Sequence, residues 1–273
     1  MPNMSTAQSF TRNRHTFAIC AYGESPYLAE CIESLRAQSD NCSDIFLATS
    51  TPNDWIRSTA ERYDLPLYIN EGDSGIGNDW NFAYSMAHTQ YITIAHQDDI
   101  YLPDYAKNAV HELNSDPYAL LFFTNYGEVR GKKVVTENTL LNVKRLLLKP
   151  IENKQKSHKT WRKRAILRFG SSICCPSVTF NAERCPRPPF TAQMSSNLDW
   201  DTWEHMSRLD GSFIYDKRIL VYHRIHEGSA TSKLIANNKR NEEDLLMLQR
   251  FWPRPLARLI ERAYSRGTAS NEL

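Results

Sequence analysis

The sequence has few of the features that mark membrane-spanning, secreted or metal-cluster proteins. No uninterrupted apolar stretch approaches the roughly 20 residues of a transmembrane helix. Residues 1–14 are polar and lack the apolar core of a signal peptide, so no secretory signal is expected. The cysteines, at positions 20, 31, 42, 174, 175 and 185, form no Cys-x-x-Cys pair and no zinc spacing. The adjacent Cys174 and Cys175 are interpreted as packing residues. These absences favour a reducing cytoplasm.

The chain also lacks a strong excess of charge of either sign. Its formal net charge is +2, which gives no global argument for nucleic-acid binding. Hydrophobic residues at 41% and charged residues at 23% are typical of an ordinary soluble globular protein. A length of 273 residues suffices for one large domain or two small ones with a substantial core.

The first hundred residues alternate strand-like and helix-like patterns, which is typical of a parallel sheet covered by helices. Each short apolar run ends in a polar loop, and a helical stripe of apolar residues follows. Pro26 opens the first helix, because proline is favoured at a first helical position. The strands are predicted at 16–21, 44–49 and 67–69 and in the run that begins at Tyr91.

Beyond residue 100 the pattern predicts a mixture of helices and strands. Helices are expected at 104–113, 199–209 and 241–264, the last interrupted by Pro253 and Pro255. Strands are expected at 118–124, at 128–136 around a turn at 130–132, at 177–180, and at 212–222 as one or two strands. Segments 138–159 and 184–196 are predicted to be loops that shape the substrate pocket.

The most informative stretch is an apolar, β-branched run that ends in His96, Gln97, Asp98 and Asp99. Open α/β folds bind ligands at the carboxyl edge of the sheet, where such a strand would end. Two carboxylates at this edge, together with substrate phosphates, suit Mg²⁺ or Mn²⁺. The alternative is a solvated Asp-Asp turn that caps the next helix. Polar clusters farther along the chain favour the metal site.

Two of these clusters combine acids or histidines with an element boundary. Residues 199–201 (Asp-Trp-Asp) open an amphipathic helix, where capping alone would also explain acids. Residues 223–226 (His-Arg-Ile-His) leave an apolar strand and enter a Gly/Ser/Thr loop at 227–232. A lone histidine there would more often be structural, but two beside an arginine suit metal and phosphate contacts. Together the clusters supply the metal ligands, base and cations for transfer from a nucleotide-activated donor.

The order of these motifs resembles glycosyltransferase family 2, whose members are inverting enzymes of the GT-A fold. The resemblance spans about 16–232 and is carried by several motifs in the family's order. These are Ala21-Tyr22, Thr51-Pro52-Asn53-Asp54 after the second strand, Asn81-Phe82-Ala83-Tyr84, Asp98-Asp99, Leu198-Asp199-Trp200-Asp201-x-Trp203 and His223-Arg224-Ile225-His226.

The resemblance implies an α/β protein with a GT-A (Rossmann-like) fold. Its mixed, mainly parallel sheet would be flanked by helices and followed by a helical C-terminal extension. The catalytic domain is expected over 1–235, with a nucleotide-binding half at about 14–104 and an acceptor half at about 105–235. The extension would cover 236–273.

The resemblance also implies roles for individual residues. Asp98 takes a metal-ligand position, and Asp99 and His226 would complete a Mn²⁺ or Mg²⁺ site. Asp199 takes the position of the base in a single in-line displacement, with Asp201 as the runner-up. The implied nucleotide and donor contacts are Ala21, Tyr22, Glu24, Thr49, Ser50, Asp79, Asn81, His96, Gln97 and Arg224.

The chain departs from the family pattern at three positions. His96 stands where an acid commonly contacts the ribose, Leu198 replaces a glutamate, and Thr49-Ser50 replaces the acids that read the base. The implied donor is a UDP-sugar, with dTDP- or GDP-sugars as alternatives. The implied acceptor is a hydroxyl of a saccharide or lipid-linked saccharide in bacterial cell-surface polysaccharide synthesis.

Residues 144–168 are strongly basic, with a single acid at Glu152. One interpretation is a peripheral patch that contacts anionic lipid at the inner face of the plasma membrane. The other is a solvated surface whose long side chains cover the core. Nucleic-acid binding is the weakest interpretation, because the charges are neither interleaved with aromatic residues nor part of a known binding motif.

Two alternatives to a transferase remain open on the sequence. A sugar nucleotidyltransferase would need a Gly-rich basic loop after the first strand, which residues 21–26 do not provide. A degenerate carbohydrate-binding or scaffold protein would explain His96, Leu198 and Ser50. Against it stands the joint presence of the acids and of His226.

Overall fold

The computed structural model describes residues 14–40, 43–191, 193–226 and 239–269. The expectations for residues 1–13, Cys42 and the loop 227–232 lie outside these ranges. Within the described chain, a single mixed sheet carries helices on both of its faces.

The first half forms the parallel sheet that the sequence predicts. Strands β1 to β4 lie in the order β3-β2-β1-β4 and are all parallel to their neighbours. Their carboxyl ends therefore share one edge of the sheet, at which ligands of such folds bind. The elements are β1 (His15–Cys20), α1 (Leu28–Arg36), β2 (Ser43–Thr49), α2 (Asp54–Arg62), β3 (Leu67–Ile69), α3 (Ile76–Met86) and β4 (Tyr91–His96).

The second half continues the same sheet with mixed directions. Strand β8 is antiparallel to both β4 and β6, β9 is parallel to β6, and β5 is antiparallel to β9. The elements are β5 (Ile100–Tyr101), α4 (Tyr105–Ser115), β6 (Ala119–Arg130), β7 (Lys133–Val135), α5 (Thr139–Leu148), α6 (Thr160–Ala165), β8 (Val178–Asn181), α7 (Leu198–Ser207), β9 (Ser212–Ile225), α8 (Lys239–Gln249) and α9 (Arg254–Ala269). This architecture confirms the predicted fold class.

The central strands are apolar on both faces, as a sheet covered twice requires. Along β1, Phe17 and Ile19 pack into the cluster that contains α1, while Ala18 packs on the opposite side with residues of α3. Helix α7 belongs to this second cluster, where Trp200 and Trp203 are almost wholly buried. A helix buried on most of its surface is a rigid support for any functional group it carries.

The expectation of one or two strands at 212–222 is confirmed by a single strand over 212–225. Three other local expectations were wrong or incomplete. Residues 119–130 form one strand, and residues 130–133 turn through Gly131 into β7. Strand β5 was missed because two residues carry no periodic signal. Segment 138–159 is not a loop but mainly helix α5 and two 3₁₀ turns.

Asn138 explains why α5 begins where it does. Its side-chain oxygen accepts a hydrogen bond from the backbone N–H of Leu141 at 2.8 Å, a standard N-cap contact. The apolar residues Leu141 and Leu148 then face the core. The capping signal was present in the sequence, but the surrounding charges obscured it.

The C-terminal helices pack against the body of the protein. Met247 and Leu248 of α8 and Ala257 of α9 are buried in the cluster that contains α7. The domain boundary near residue 235 remains a prediction, but the helices beyond it share this core.

Candidate active site

Strand pairing brings the two main polar motifs together. Strand β5 follows the Asp98-Asp99 turn and pairs with β9, with Ile100 opposite Tyr222. The end of β9, residues 223–226, therefore lies alongside the two aspartates. Motifs that are more than 120 residues apart in the sequence meet at the carboxyl end of β4.

Asp99 is the buried anchor of this meeting point. Its Oδ1 atom accepts hydrogen bonds from the backbone N–H of Arg224 at 2.8 Å and from Nδ1 of His223 at 3.0 Å. Burial opposes the charge on both side chains, yet the imidazolium and its hydrogen bond hold the pKa of Asp99 below its ordinary value. The carboxylate in turn raises the pKa of His223 against the effect of burial. Each side chain therefore favours the charged form of the other.

Asp98 and His226 form the more open half of the cluster. Asp98 Oδ2 lies 2.8 Å from Nε2 of His226, and both side chains are partly accessible to solvent. Among the described residues, the buried Oδ2 atom of Asp99 has no hydrogen-bond partner. Carboxylate oxygens with one imidazole suit Mn²⁺ or Mg²⁺, so these residues fit the ion that the sequence implies.

The protein alone offers few ligands for that ion. No group of three or more His, Cys, Asp or Glu residues with metal-site spacing occurs in the described part of the chain. Magnesium-type sites commonly combine one or two carboxylates with substrate phosphates. The described side chains would therefore supply only part of such a site.

Arg224 holds the strand-end turn in place. The residue is 5% exposed, and its Nε donates to the backbone oxygen of Asp98 at 2.9 Å. Nη2 donates to Glu30 at 2.6 Å, and the guanidinium group lies 4.4 Å from the ring centre of Tyr27. Arg224 was predicted to contact the donor. In the structure it lies between α1 and the aspartates, where it supports the turn that carries them.

Tyr22 and Gln97 extend the β1–β4 pairing beyond the strands. The Gln97 side chain accepts from the N–H of Tyr22 at 2.9 Å and donates to its carbonyl oxygen at 3.0 Å. The Tyr22 ring is 62% exposed, and Glu24 nearby is also exposed. Ala21 is buried and donates its N–H to Ala48 at 2.8 Å. An aromatic ring therefore stands at the carboxyl edge of the sheet.

A second carboxylate lies where the sequence has Thr49-Ser50 in place of acids. Asp79 of α3 accepts from the Ser50 hydroxyl at 2.9 Å and from Nδ2 of Asn70 at 3.1 Å. Thr49 is buried and its hydroxyl accepts from the N–H of Thr51 at 3.0 Å. The ends of β2 and β3 and the start of α3 thus converge on one acid.

His96 lies between the strand-end acids and the acceptor half. Its ring stacks on Trp80 at 5.0 Å, and burial lowers its pKa although the acids Asp98, Asp99 and Asp199 raise it. The imidazole is therefore neutral at pH 7. Trp80 also contacts Phe190 edge-on at 5.1 Å.

Asn81 acts through the segment that carries Phe190. Its amide donates to the Phe190 carbonyl at 2.8 Å and accepts from the Phe190 N–H at 3.0 Å. Both polar atoms of the Asn81 side chain are engaged in these hydrogen bonds. Any effect of Asn81 on donor binding would therefore be exerted through the segment that contains Phe190.

Asp199 stands in the first turn of α7 and lies close enough to His96 to affect its pKa. It accepts from the Trp200 N–H at 2.7 Å and from the Ser171 hydroxyl at 3.2 Å. Burial raises its pKa, although these bonds and the cations Lys144 and Arg240 oppose the shift. A carboxylate with a raised pKa is a stronger base, as a proton acceptor needs to be.

Asp201 has different surroundings from Asp199. It is fully buried and accepts hydrogen bonds from Thr191 and Arg250. The two-residue offset from Asp199 places the side chains on different faces of the helix, as the sequence predicts. The geometry therefore favours Asp199 as the base.

Lys144 is a site residue that the sequence did not single out. It lay within the basic segment, but its ammonium group donates to the Tyr126 hydroxyl at 2.9 Å and lowers the pKa of Asp199. Other cations of that segment are also used internally. Lys163 is fully buried and donates to the carbonyls of Leu209 and Gly211.

The adjacent cysteines also lie near Asp199. Burial, assisted by this carboxylate, raises the pKa of the Cys175 thiol well above its ordinary value, and burial does the same for Cys174. Thiols in this state are poor nucleophiles, and both are free. They line the site as packing residues.

A family-level sequence profile supports the same interpretation. The profile of Glycosyl transferase family 2 matches residues 16–173, which is more than half of the chain. The chain belongs to this family. It is a glycosyltransferase, so the predicted enzyme class is confirmed. The nucleotidyltransferase and scaffold alternatives lose their support.

Solved structures show the same fold at low sequence identity. Residues 1–349 of TarS from S. aureus, in complex with UDP-GlcNAc, have a TM-score of 0.56 and 15% identity over 91% of this chain and 70% of that chain. The mannosyltransferase PcManGT from Pyrobaculum calidifontis, in complex with GDP-Man and Mn²⁺, has a TM-score of 0.59 and 15% identity. That match covers 96% of this glycosyltransferase and 77% of PcManGT.

Other comparisons are more limited. A longer TarS structure matches at 12% identity, and this chain covers 42% of it. No curated protein matches the sequence significantly. Within the described residues of this glycosyltransferase, no helix is both long enough and apolar enough to span a bilayer.

We expect Lys144→Met to shift the acid limb of the pH–rate profile upward. If Asp199 is the base, it must be ionised to accept a proton, so activity would fall as pH drops through its raised pKa. Removing a cation that lowers this pKa raises it further. The measurement is kcat/KM against pH. Lys149→Met, an exposed lysine at the end of the same helix, is the control, and an unchanged limb in Lys144→Met would contradict the assignment.

Proposed function

We propose that this family 2 enzyme is an inverting, metal-dependent transferase. It moves a sugar from a nucleotide-diphosphate donor to a hydroxyl group of a saccharide or lipid-linked saccharide. The observation that carries the proposal is the nearness of two separate acid sites. Asp98, Asp99 and Asp199 all lie close enough to the His96 imidazole to raise its pKa against the larger effect of burial.

Asp199 is the proposed base of the reaction. As the acceptor oxygen attacks the anomeric carbon, its proton passes to the carboxylate, and the bond from that carbon to the diphosphate oxygen breaks. The Trp200 N–H and the Ser171 hydroxyl fix the carboxylate so that little reorganisation is needed. Attack opposite the leaving group inverts the anomeric configuration.

Asp98 and His226 are the proposed protein ligands of the divalent ion. When bound, that ion would supply positive charge against the departing diphosphate. Asp99 serves this pair indirectly, because its bonds to His223 and Arg224 fix the turn that carries Asp98. PcManGT, a structural neighbour, is described in complex with Mn²⁺.

The nucleotide is proposed to bind between Tyr22 and Asp79. The exposed ring of Tyr22 offers a surface on which a base can stack. Asp79 supplies the anionic acceptor that Thr49 and Ser50 lack, and a carboxylate pairs well with the imide N–H of uracil. This favours a UDP-sugar, with dTDP- and GDP-sugars as the alternatives. The neighbours TarS and PcManGT are described with UDP-GlcNAc and GDP-Man, respectively.

A cytoplasmic site at the inner face of the plasma membrane, in cell-surface polysaccharide synthesis, forms part of the proposal. Trp161 is 60% and Leu146 56% exposed within the basic segment. Lys149, Lys156 and Lys159 are exposed in the same segment. Exposed apolar groups among cations favour an anionic lipid surface. Because Lys163 is buried and Arg164 pairs with Glu204, this surface has fewer available cations than the sequence suggests.

The decisive variant for the base is Asp199→Asn. An amide cannot accept the proton, so transfer should fall by about 100- to 10,000-fold while nucleotide binding stays nearly intact. Initial rates and calorimetric titration with the nucleotide separate the two effects. Asp210→Asn, an exposed acid just beyond α7, is the matched control. Equal turnover by Asp199→Asn and the wild type would contradict the assignment of Asp199 as the base.

The proposed metal site is tested with Asp98→Ala. Thermal shift with UDP-, dTDP- and GDP-sugars, each with and without Mn²⁺, first identifies the preferred donor for the wild-type protein. We expect Asp98→Ala to lose most of the Mn²⁺-dependent affinity for that donor in calorimetry, since a ligand is removed. Glu61→Ala, an exposed acid on α2, should retain it. Affinity in Asp98→Ala that responds to Mn²⁺ as in the wild type would refute a role as ligand.

Membrane contact is tested by co-sedimentation with neutral and anionic phospholipid vesicles. We expect preferential binding to anionic vesicles that weakens in a Lys156→Glu, Lys159→Glu double variant, because two attractive charges are reversed. Lys107→Glu, on the exposed side of α4, is the control for net charge. Equal binding of the wild type to both kinds of vesicle would count against the contact.

A further inference from the structure

The start of the catalytic helix is held by an acid from the far end of the chain. Glu243 of α8 accepts backbone hydrogen bonds from Ser195 at 2.9 Å, Ser196 at 2.7 Å and Asn197 at 3.0 Å. The adjacent Asp244 accepts from Nδ2 of Asn197 at 2.7 Å. Both acids are buried. Two consecutive side chains of α8 therefore secure the three residues that lead into α7.

These bonds order the turn that precedes α7. Asn197 occupies the N-cap position of α7, but its own side chain makes no capping bond. The N–H groups of Ser195, Ser196 and Asn197 have no partners within the helix, and the buried carboxylate of Glu243 satisfies them. Asp199 lies two residues beyond Asn197, so the position of its backbone follows that of this turn.

Helix α8 is fixed independently of this contact. Met247 and Leu248 are buried in the core. Arg250, directly after the helix, bonds to Asp201 and Glu204 on α7. The C-terminal segment thus contacts α7 before and after Asp199, and Glu243 is its contact on the catalytic side.

We infer that Glu243 is a positioning residue for the base Asp199, and that α8 is therefore a working part of the active site. The inference rests on the proposed function, because it assigns Asp199 the proton transfer. Glu243 itself need not touch either substrate. Its carboxylate orders the turn at 195–197, and that turn sets where the Asp199 carboxylate meets the acceptor hydroxyl.

The test compares Glu243→Ala and Glu243→Gln with two controls. Glu242→Ala removes the neighbouring exposed acid of the same helix. Leu248→Ala weakens the core packing of α8 but leaves the hydrogen bonds between Glu243 and residues 195–197 in place. All are assayed as the full chain, below their melting temperatures, for kcat, KM of the donor and amide hydrogen exchange over 195–200.

A positioning role predicts a specific pattern. Glu243→Ala should lower kcat by about 10- to 100-fold with little change in donor KM, since small displacements of a catalytic group are costly. Glu243→Gln, which keeps one acceptor oxygen, should fall between Ala and the wild type. Exchange at 195–197 should rise in Glu243→Ala. Leu248→Ala should lower the melting temperature without this loss of kcat.

Other results would overturn the inference. If Glu243→Ala exposes the amides at 195–197 but retains wild-type kcat, the turn does not position the base. If the amides stay protected, Glu243 does not order the turn, whatever the activity. If kcat falls by the same factor in Leu248→Ala, Glu243 supports the fold in general and has no specific positioning role. If the wild type transfers no sugar, the proposed function fails, and the exchange measurement still decides whether Glu243 orders the turn.

Discussion

The buried contact of Asp99 with His223 and with the backbone of Arg224 is the constraint on which the site is built. A carboxylate removed from water is costly unless it is paired and hydrogen-bonded, and here one oxygen receives both bonds. The contact joins the end of β4 to the end of β9. Together with the pairing of β5 and β9, it holds Asp98 beside His226, although the two belong to different halves of the sheet.

The mixed sheet gives this contact its setting. The parallel strands place Tyr22, Ser50 and His96 at one edge, as their shared direction requires. The two-residue strand β5 then turns the chain against β9 and fixes the register of the histidines with the aspartates. This two-residue element, whose Tyr101 is buried in the core, thus controls the geometry of the site.

The sequence predicts the parts of the site that reside in local patterns. Asp98 follows an apolar run, and Asp199 opens an amphipathic helix, so each could be found from its neighbours alone. The alternating elements of the first half were predictable for the same reason. Segment 138–159 was misjudged as loop, since its helical residues are interspersed with charges and its Asn138 cap is a weak signal.

Contacts between distant segments could not be predicted from local sequence patterns. Glu243 bonds to residues 46 to 48 positions away, and nothing near it in the sequence distinguishes it from Glu242. Nothing in the sequence distinguishes Lys144 from the other cations of its segment, whereas the structure places it beside Tyr126. Asp201 was the runner-up to Asp199 on the sequence, which does not show its ion pair with Arg250. A single sequence does not show such tertiary partners.

The pairing of Gln97 with the backbone of Tyr22 has a thermodynamic consequence for ligand recognition. Two hydrogen bonds restrain the chain at Tyr22 before any ligand arrives, although its ring projects into solvent. A planar ligand that stacks on this ring would therefore restrict mainly the side-chain rotamers, an entropic cost of about 0.5–1.5 kcal/mol. The loop has already lost its freedom during folding, so recognition at this edge begins from a preorganised surface.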